Sequence, residues 1–133
     1  MRSVDRTMPI LIVEDHKSMT QVIKSMLTGL EFRDVDSCAN GVEALRKLAT
    51  KKYGLIISDW DMPEMSGIEL LRAVRGDDDL KHIPFMMISS NAQAQRVIEA
   101  KKAEIDGFAV KPFTAIQLLA RIEHCLWQAS QRL

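Results

Sequence analysis

The sequence lacks the features that mark a membrane protein, an exported protein or a nucleic-acid-binding protein. Its longest aliphatic runs are about four residues, whereas a membrane-spanning helix needs about 20 apolar residues. Residues 1–7 are polar and charged, without the apolar stretch of a signal peptide. The 18 Lys and Arg residues balance the 18 Asp and Glu residues. No basic excess therefore favours DNA, RNA or an anionic membrane as a partner.

Cysteine and histidine are also scarce. Cys38 and Cys125 lie far apart, which predicts two free thiols in a cytoplasmic protein. Three scattered histidines argue against a histidine-based metal site. A length of 133 residues and an apolar fraction of 47% are typical of one soluble globular domain. We expect a short leader over residues 1–7, one domain over residues 8–133, and no output domain.

What the sequence does contain is an alternation of short apolar runs with longer segments of helical period. This alternation predicts an α/β fold in which a βα unit repeats five times around a parallel sheet. The predicted strands span residues 10–13, 35–38, 55–58, 85–88 and 108–110. The second of these is the weakest prediction, because it contains polar residues.

The predicted helices carry recognisable caps and apolar faces. Asn40 with Glu43 and Ser66 with Glu69 have capping-box spacing, and Thr114 is a cap for the last helix. Helical periodicity predicts apolar residues that face the core; these include Val22, Val42 and Ile98. The fourth helix, predicted over residues 92–103, is polar at its start and thinly anchored. We therefore expect its position to be adjustable.

Four of the predicted strands end in residues that can bind a cation or a phosphate. The first strand is followed by Glu14 and Asp15, the third by Asp59, the fourth by Ser89 and the fifth by Lys111. Taken singly, each is as readily a helix cap, a turn or a strand end. Parallel strands, however, bring these residues together at the carboxyl edge of the sheet, where open α/β sheets bind ligands. Their convergence therefore predicts a functional site.

The chemistry of the predicted site favours a cation and a phosphoryl group. Two like charges about 4 Å apart repel by roughly 4 kcal/mol at an effective dielectric of 20, so three carboxylates need a proton or a hard cation. Mg²⁺ fits, because it takes one or two carboxylates and keeps positions for water and phosphate oxygens. Lys111 and Ser89 are suited to bind phosphate oxygens. A carboxylate beside them can attack phosphorus to form an aspartyl-phosphate.

These motifs resemble the response-regulator receiver domain of two-component signalling, over residues 8–127. The residues that carry the resemblance are Glu14-Asp15, the segment from Asp59 to Gly67, Ser89, Phe108 and the run Lys111-Pro112-Phe113. Trp60 and the run from Lys111 to Thr114 are most similar to single-domain chemotaxis-type regulators. The resemblance implies a flavodoxin-like doubly wound sheet with strand order 2-1-3-4-5.

The resemblance also implies a role for each matching residue. Asp59 is the phosphoacceptor, and Lys111 and Ser89 contact the phosphoryl group. Ser89 and Phe108 act together as the conformational switch. The implied Mg²⁺ ligands are Asp15, Asp59 and the backbone carbonyl of Asp61, with Glu14 acting through water.

Three residues depart from the chemotaxis pattern. Glu14 stands where aspartate is commoner, Asp61 replaces asparagine, and Asn91 stands where glutamate is frequent. Asp61 and Asn91 flank the path of an attacking water, and we expect them to tune dephosphorylation.

The resemblance predicts a stand-alone, monomeric signalling protein rather than an enzyme. Its phosphoryl donor would be a phosphohistidine on a histidine kinase or a histidine phosphotransfer protein. Its target would bind the face made by helix four, strand five and helix five. The alternatives are a small haloacid-dehalogenase-like phosphatase, which also has Asp-x-Asp after a buried strand, and a receiver fold that only binds partners.

Overall fold

The computed structural model describes residues 4–132, in which five strands alternate with five helices. The strands are β1 (Ile10–Val13), β2 (Val35–Cys38), β3 (Leu55–Asp59), β4 (Phe85–Ser89) and β5 (Gly107–Val110). The helices are α1 (Lys17–Gly29), α2 (Gly41–Thr50), α3 (Gly67–Arg75), α4 (Ala94–Lys102) and α5 (Ala115–Arg132). Every predicted element is present, including the weakly predicted β2.

All five strands pair in parallel in the order β2-β1-β3-β4-β5. The sheet reverses its winding direction at β1 and β3, and such a switch point leaves a crevice at the carboxyl ends of the strands. This arrangement confirms the predicted doubly wound, flavodoxin-like fold.

Both faces of the sheet are buried, which explains why its strands are nearly continuous apolar runs. Successive side chains of a strand point to opposite faces. In β1, Ile10 and Ile12 pack with α1 and α5, whereas Leu11 and Val13 pack with α2, α3 and α4. The strands are thereby held in a rigid central layer, and the residues that follow them have defined positions.

The predicted helix caps are largely confirmed. The Asn40 side chain accepts a hydrogen bond from the Glu43 N–H at 2.9 Å, and Ser66 and Glu69 form a complete capping box. Glu43 departs from the predicted box because its carboxylate accepts from Ala39 N–H instead of Asn40 N–H. Thr114 caps α5 by accepting from the Gln117 N–H at 3.1 Å.

Three predicted core positions are wrong. Val22 is 45% exposed, Val42 is 39% exposed and Ile98 is 53% exposed. Each lies at the margin of its helix's apolar stripe, where sequence periodicity does not show how far the neighbouring layer extends. In α2 and α4 the buried positions include small residues, namely Ala44 and Ala100.

The described part of the predicted leader, residues 4–7, packs against the domain. Val4 is buried in the cluster that contains α1 and α5. The Arg6 guanidinium donates to the Leu30 carbonyl at 2.8 Å and lies 4.9 Å from the centre of the Phe32 ring. Residues 1–3 lie outside the described residues. Across residues 4–132, no helix combines the length and the apolar character needed to cross a membrane.

Candidate functional site

The predicted site residues lie at the carboxyl edge of the sheet, on four neighbouring strands. Glu14 and Asp15 follow β1, Asp59 ends β3, Ser89 ends β4 and Lys111 follows β5. Strand register aligns these ends, because Val13 lies opposite Ser58 and Asp59 lies opposite Ile88. The parallel sheet thus brings together residues that are up to 97 positions apart in the chain.

Lys111 joins two of the acids. Its Nζ lies 3.3 Å from Asp59 Oδ1 and 3.5 Å from Glu14 Oε1. Asp59 and Glu14 are both buried, at 3% and 2% exposure, while the Lys111 side chain keeps 18%. Charged groups in such a poorly hydrated place interact more strongly than they would at the surface. Lys111 therefore neutralises part of the negative charge that the strand ends create.

The remaining negative charge fits a cation. Oxygens of Glu14, Asp15 and Asp59 and a ring nitrogen of His16 all lie within 4.8 Å of one another. Asp15 Oδ1 is shielded from solvent and has no hydrogen-bond partner among the described residues. His16 Nδ1 lies 3.3 Å from it but outside hydrogen-bonding geometry. An unpaired buried carboxylate oxygen is costly, and a hard cation with oxygen ligands would satisfy it.

Burial shapes the ionisation of this cleft. It raises the pKa of Asp59 above its usual value, although Lys111 acts in the opposite direction. Burial also raises the pKa of Glu14, and the nearby charge of Asp59 adds to this rise. A carboxylate held in a site that disfavours its charge is a stronger base and responds more strongly to a positive ligand.

The loop after β3 is shaped by a glycine. Gly67 N–H donates to the Trp60 carbonyl at 2.8 Å, which brings the start of α3 back against the end of β3. A Cβ at Gly67 would collide with the Asp59 carbonyl oxygen and lie 2.9 Å from Trp60 Cα. Only glycine permits this close approach, which sets the conformation of the loop that begins at Asp59.

The Ser89 hydroxyl is fully engaged by the loop between β4 and α4. It donates to the Asn91 carbonyl at 3.1 Å, and accepts from the Asn91 N–H and from the Arg96 Nη1, both at 3.0 Å. A serine hydroxyl has one donor and two acceptor positions, so these three bonds use its whole capacity. Ser89 lies on the strand next to Asp59 but is directed to its own loop.

Two aromatic residues link the cleft to the interior. Trp60, which follows Asp59, is 5% exposed. Its ring centre lies 6.3 Å from that of Phe108, which is half-buried on β5. Because protein interiors are close-packed, a change in the side-chain conformation of either residue would alter the packing of the other.

The two residues predicted to tune dephosphorylation have different surroundings. Both Asp61 carboxylate oxygens accept from the Arg96 guanidinium, at 2.6 and 2.9 Å. These bonds hold the pKa of Asp61 below its usual value. The Asn91 side chain accepts from the Gln93 N–H at 3.0 Å. Asp61 thus faces α4 with its side chain, and Asn91 orders the loop that leads into α4.

Arg96 and His16 belong to the site but were not predicted from the sequence. Arg96 lies in the first turn of α4 and contacts Asp61, Ser89 and the face of Trp60. Its guanidinium carbon lies 4.8 Å from the centre of the Trp60 ring. Its only sequence signal is its position in the first turn of a helix that follows a site strand. His16 follows the acid pair directly, and that adjacency was the available signal.

Fold and site together define a doubly wound α/β protein with an acidic, lysine-containing cleft at the carboxyl edge of its sheet. The family model of the response regulator receiver domain matches residues 10–123. The chain belongs to this family. Receiver domains bind Mg²⁺ at an acidic site, and the cluster at Glu14, Asp15 and Asp59 provides one. The phosphatase alternative has no support in these findings.

Among receiver domains, this chain is similar to chemotaxis response regulators. The chain is 43% identical over 116 residues to the chemotaxis protein CheY of Pseudomonas aeruginosa, covering 87% of this chain and 94% of that protein. It is similar to the solved structure of the chemotaxis response regulator CheY4 of Vibrio cholerae, with a TM-score of 0.83 and 31% identity. That match covers 90% of this chain and 98% of the other.

A further solved structure bears on the cation. The receiver domain of a sensor histidine kinase from Pseudomonas aeruginosa contains a magnesium ion coordinated in its active-site cleft. It is 26% identical to this chain, with a TM-score of 0.81, and the match covers 91% of this chain and 98% of that one.

Proposed function

We propose that this chain is a stand-alone chemotaxis-type response regulator that accepts a phosphoryl group on Asp59 and then binds a target protein. The observation that carries the proposal is the position of Asp59, which is buried at the end of β3 with the Lys111 ammonium 3.3 Å away. In this role the protein is a phosphoacceptor and not an enzyme with a separate substrate. The phosphohistidine donor and the two free thiols are in keeping with a cytoplasmic location.

The chemistry follows from the groups around Asp59. Its carboxylate attacks the phosphorus of a phosphohistidine, and the histidine nitrogen leaves with the electrons of the broken N–P bond. Lys111 supplies positive charge for the phosphoryl oxygens, and such electrostatic stabilisation is the main source of catalysis in phosphoryl transfer. Ser89 can donate its hydroxyl proton to a phosphoryl oxygen once it gives up its bond to Asn91.

The same proposal includes a Mg²⁺ site. Asp15, Asp59 and the backbone carbonyl of Asp61 would hold the ion, with Glu14 acting through a water. When bound, Mg²⁺ supplies the positive charge that offsets the acid cluster and the incoming phosphoryl group. The unpaired Asp15 Oδ1 supports this assignment.

We place the target-binding surface on α4, β5 and α5. A groove of roughly 370 Å³ runs between these elements and is lined in part by Val97, Lys101, Phe108 and Arg121. The same elements carry exposed apolar side chains, at Ile98, Val110 and Ile116. Lys101, Lys102 and Arg121 make the surface basic. Apolar patches rimmed by charge are typical of protein contacts, so this surface suits a target segment with both acidic and apolar residues.

The decisive test is phosphorylation by a small phosphodonor such as acetyl phosphate in the presence of Mg²⁺. The wild-type protein should gain the mass of one phosphoryl group, and Asp59→Asn should gain none. Asp15→Ala should react far more slowly, because it removes a proposed metal ligand. Intact-mass spectrometry over time gives both the extent and the rate.

Asp61→Asn is the matched control, because it neutralises a carboxylate two residues from Asp59. If Asp61 contributes only its backbone carbonyl, the variant should still accept the phosphoryl group, with a changed rate of loss. A wild-type protein that stays unmodified, or an Asp59→Asn protein that is stably modified on another side chain, would contradict the proposal.

A further inference from the structure

Arg96 connects α4 to the phosphorylation site through three contacts. Its guanidinium donates to both oxygens of Asp61, donates to Ser89 Oγ and lies over the Trp60 ring. A guanidinium that binds both oxygens of one carboxylate is held in a defined orientation. We call these contacts the Arg96 latch. One side chain of α4 thus contacts the residues that come one and two positions after Asp59.

The Arg96 latch includes a hydrogen bond to the Ser89 hydroxyl, the same group that would bind a phosphoryl oxygen on Asp59. Ser89 Oγ has its two acceptor positions filled by Asn91 N–H and Arg96, and its proton points to the Asn91 carbonyl. To donate to an oxygen on Asp59, the hydroxyl must turn out of this arrangement. Contact with Arg96 therefore favours the Ser89 conformation that is directed away from Asp59.

The rest of α4 is weakly attached, which makes the latch important for its position. Ala100 is the buried residue of this helix, and the cap residue Gln93 makes no side-chain capping hydrogen bond. A second polar tie is the Arg72–Glu99 salt bridge to α3, at 2.7 Å between exposed side chains. The first turn of α4 is held to the site by Arg96, whereas Arg72 holds its later part without touching Ser89 or Asp61.

We propose that Arg96 is a positioning residue that stabilises the unphosphorylated conformation and must release Ser89 when Asp59 is phosphorylated. This inference rests on the proposed phosphoacceptor role of Asp59. A group that favours one of two conformations lowers the apparent affinity of any ligand that requires the other. Arg96 therefore sets how strongly a phosphoryl group must act to move α4.

Removal of the latch should strengthen binding of a phosphoryl mimic. Arg96→Ala should bind beryllofluoride with Mg²⁺ about two- to tenfold more tightly than the wild type, since partly exposed ion pairs contribute modestly. Isothermal titration calorimetry measures this affinity. Arg72→Ala is the matched control, because it removes an arginine tie to α4 that does not reach the site. Its affinity should stay within about twofold of the wild-type value.

A double-mutant cycle separates latching from a general structural effect. In a Ser89→Ala background the hydroxyl is absent, so Arg96→Ala should change the affinity less than it does in the wild type. An undiminished effect in that background would overturn the proposed action through Ser89. Weaker or unchanged mimic binding by Arg96→Ala in the wild-type background would also overturn the latch, and weaker binding would indicate that Arg96 is a phosphoryl ligand.

Different results would contradict the proposed function itself. If the wild type does not bind beryllofluoride, or if Asp59→Asn binds it equally well, the phosphoacceptor role of Asp59 is overturned and the latch with it. If the wild type binds the mimic and Asp59→Asn does not, any failure of the Arg96 variants applies to the latch alone.

Discussion

At the residue scale, Asp59 combines burial with negative charge. Its location at the end of a central strand leaves it 3% exposed, and Glu14 and Asp15 lie within a few ångströms. Lys111 compensates only in part, since the pKa of Asp59 stays raised by burial. We therefore expect the charge on Asp59 to lower the stability of the folded protein.

This conflict predicts that Asp59→Asn is more stable than the wild type in Mg²⁺-free buffer. A raised pKa means that the folded protein binds a proton at Asp59 more readily than the unfolded chain does, so the ionised form is the destabilising one. The neutral amide removes that cost and should raise the Tm by roughly 2–5 °C at neutral pH. Thermal unfolding followed by circular dichroism measures the difference.

The difference in Tm between Asp59→Asn and the wild type should depend on pH. As the pH is lowered toward the raised pKa of Asp59, the wild-type carboxylate takes up a proton, so the advantage of Asp59→Asn should shrink. Asp78→Asn, which changes a side chain that is 96% exposed, should show no such trend. An Asp59→Asn protein that melts below the wild type at every pH would mean that the Lys111 ion pair outweighs the burial.

At the element scale, α4 has weaker packing than the other helices that cover its face of the sheet. It buries Ala100, whereas α3 buries four large apolar side chains, at Ile68, Leu70, Leu71 and Val74. Little apolar area is lost when such a helix shifts, so its conformation can respond to small changes at the site. The thin anchoring predicted from the polar start of the helix agrees with this packing.

This weak packing predicts that phosphorylation is read out through α4. A phosphoryl mimic on Asp59 should draw Ser89 toward it, allow the Phe108 ring to move inward, and change amide hydrogen exchange in α4 and β5. Ser89→Ala should still accept a phosphoryl group on Asp59 but should lose these exchange changes and the binding of a target. Hydrogen–deuterium exchange with and without the mimic tests both statements.

Ser90→Ala is the control for this experiment, since it removes the exposed hydroxyl next to Ser89. It should respond to the mimic as the wild type does. Exchange changes that are confined to α1 or α2, with α4 unchanged, would refute the proposed readout.

At the scale of the whole molecule, the end of the sheet opposite the site is held by a buried ionic cluster. Asp106 precedes β5, and its side chain accepts from Arg75 at 2.7 Å, from Arg132 at 2.9 and 3.0 Å, and from the Phe85 N–H at 3.0 Å. These bonds join α3, β4, β5 and the end of α5. Asp106 and Arg75 keep only 2% and 7% of their side-chain exposure.

Loss of this carboxylate should therefore destabilise the entire domain. Asp106→Ala leaves the buried Arg75 without its counter-ion, and breaking a buried pair in this way costs about 3–5 kcal/mol. Equilibrium urea unfolding gives the change in the free energy of unfolding. Asp78→Ala, which breaks the exposed Asp78–Lys81 pair, should cost less than about 1 kcal/mol.

A loss below about 1 kcal/mol in Asp106→Ala would show that water hydrates Arg75 in place of the carboxylate. If Asp106→Ala loses the expected stability, the rigid part of the domain lies at the amino edge of the sheet. The adjustable part then lies at the carboxyl edge. Such a division allows α4 to move while the strands that carry Asp59 and Lys111 stay in place.

Local sequence patterns were sufficient to predict the elements and the main site residues. Four of the five strands are largely apolar runs, and β2 is the exception because it contains polar residues. Asn40, Ser66 and Thr114 cap helices with partners three positions away. These signals lie within a few neighbouring residues, so they can be read before the chain is folded. The location of the site could also be predicted, because parallel strands align their carboxyl ends at one edge of the sheet. The strand order came from the family resemblance, and the structure confirms it.

Only the tertiary structure decided the contacts between distant elements. Arg96 reaches Asp61 because the packing of α4 brings together residues that are 35 positions apart. Asp106 meets Arg75 across 31 positions by the same kind of layering. Val22 and Ile98 are exposed because the neighbouring layer ends before it covers them. Helical period gives the direction of a side chain but not the extent of the surface it faces, which depends on how the layers pack.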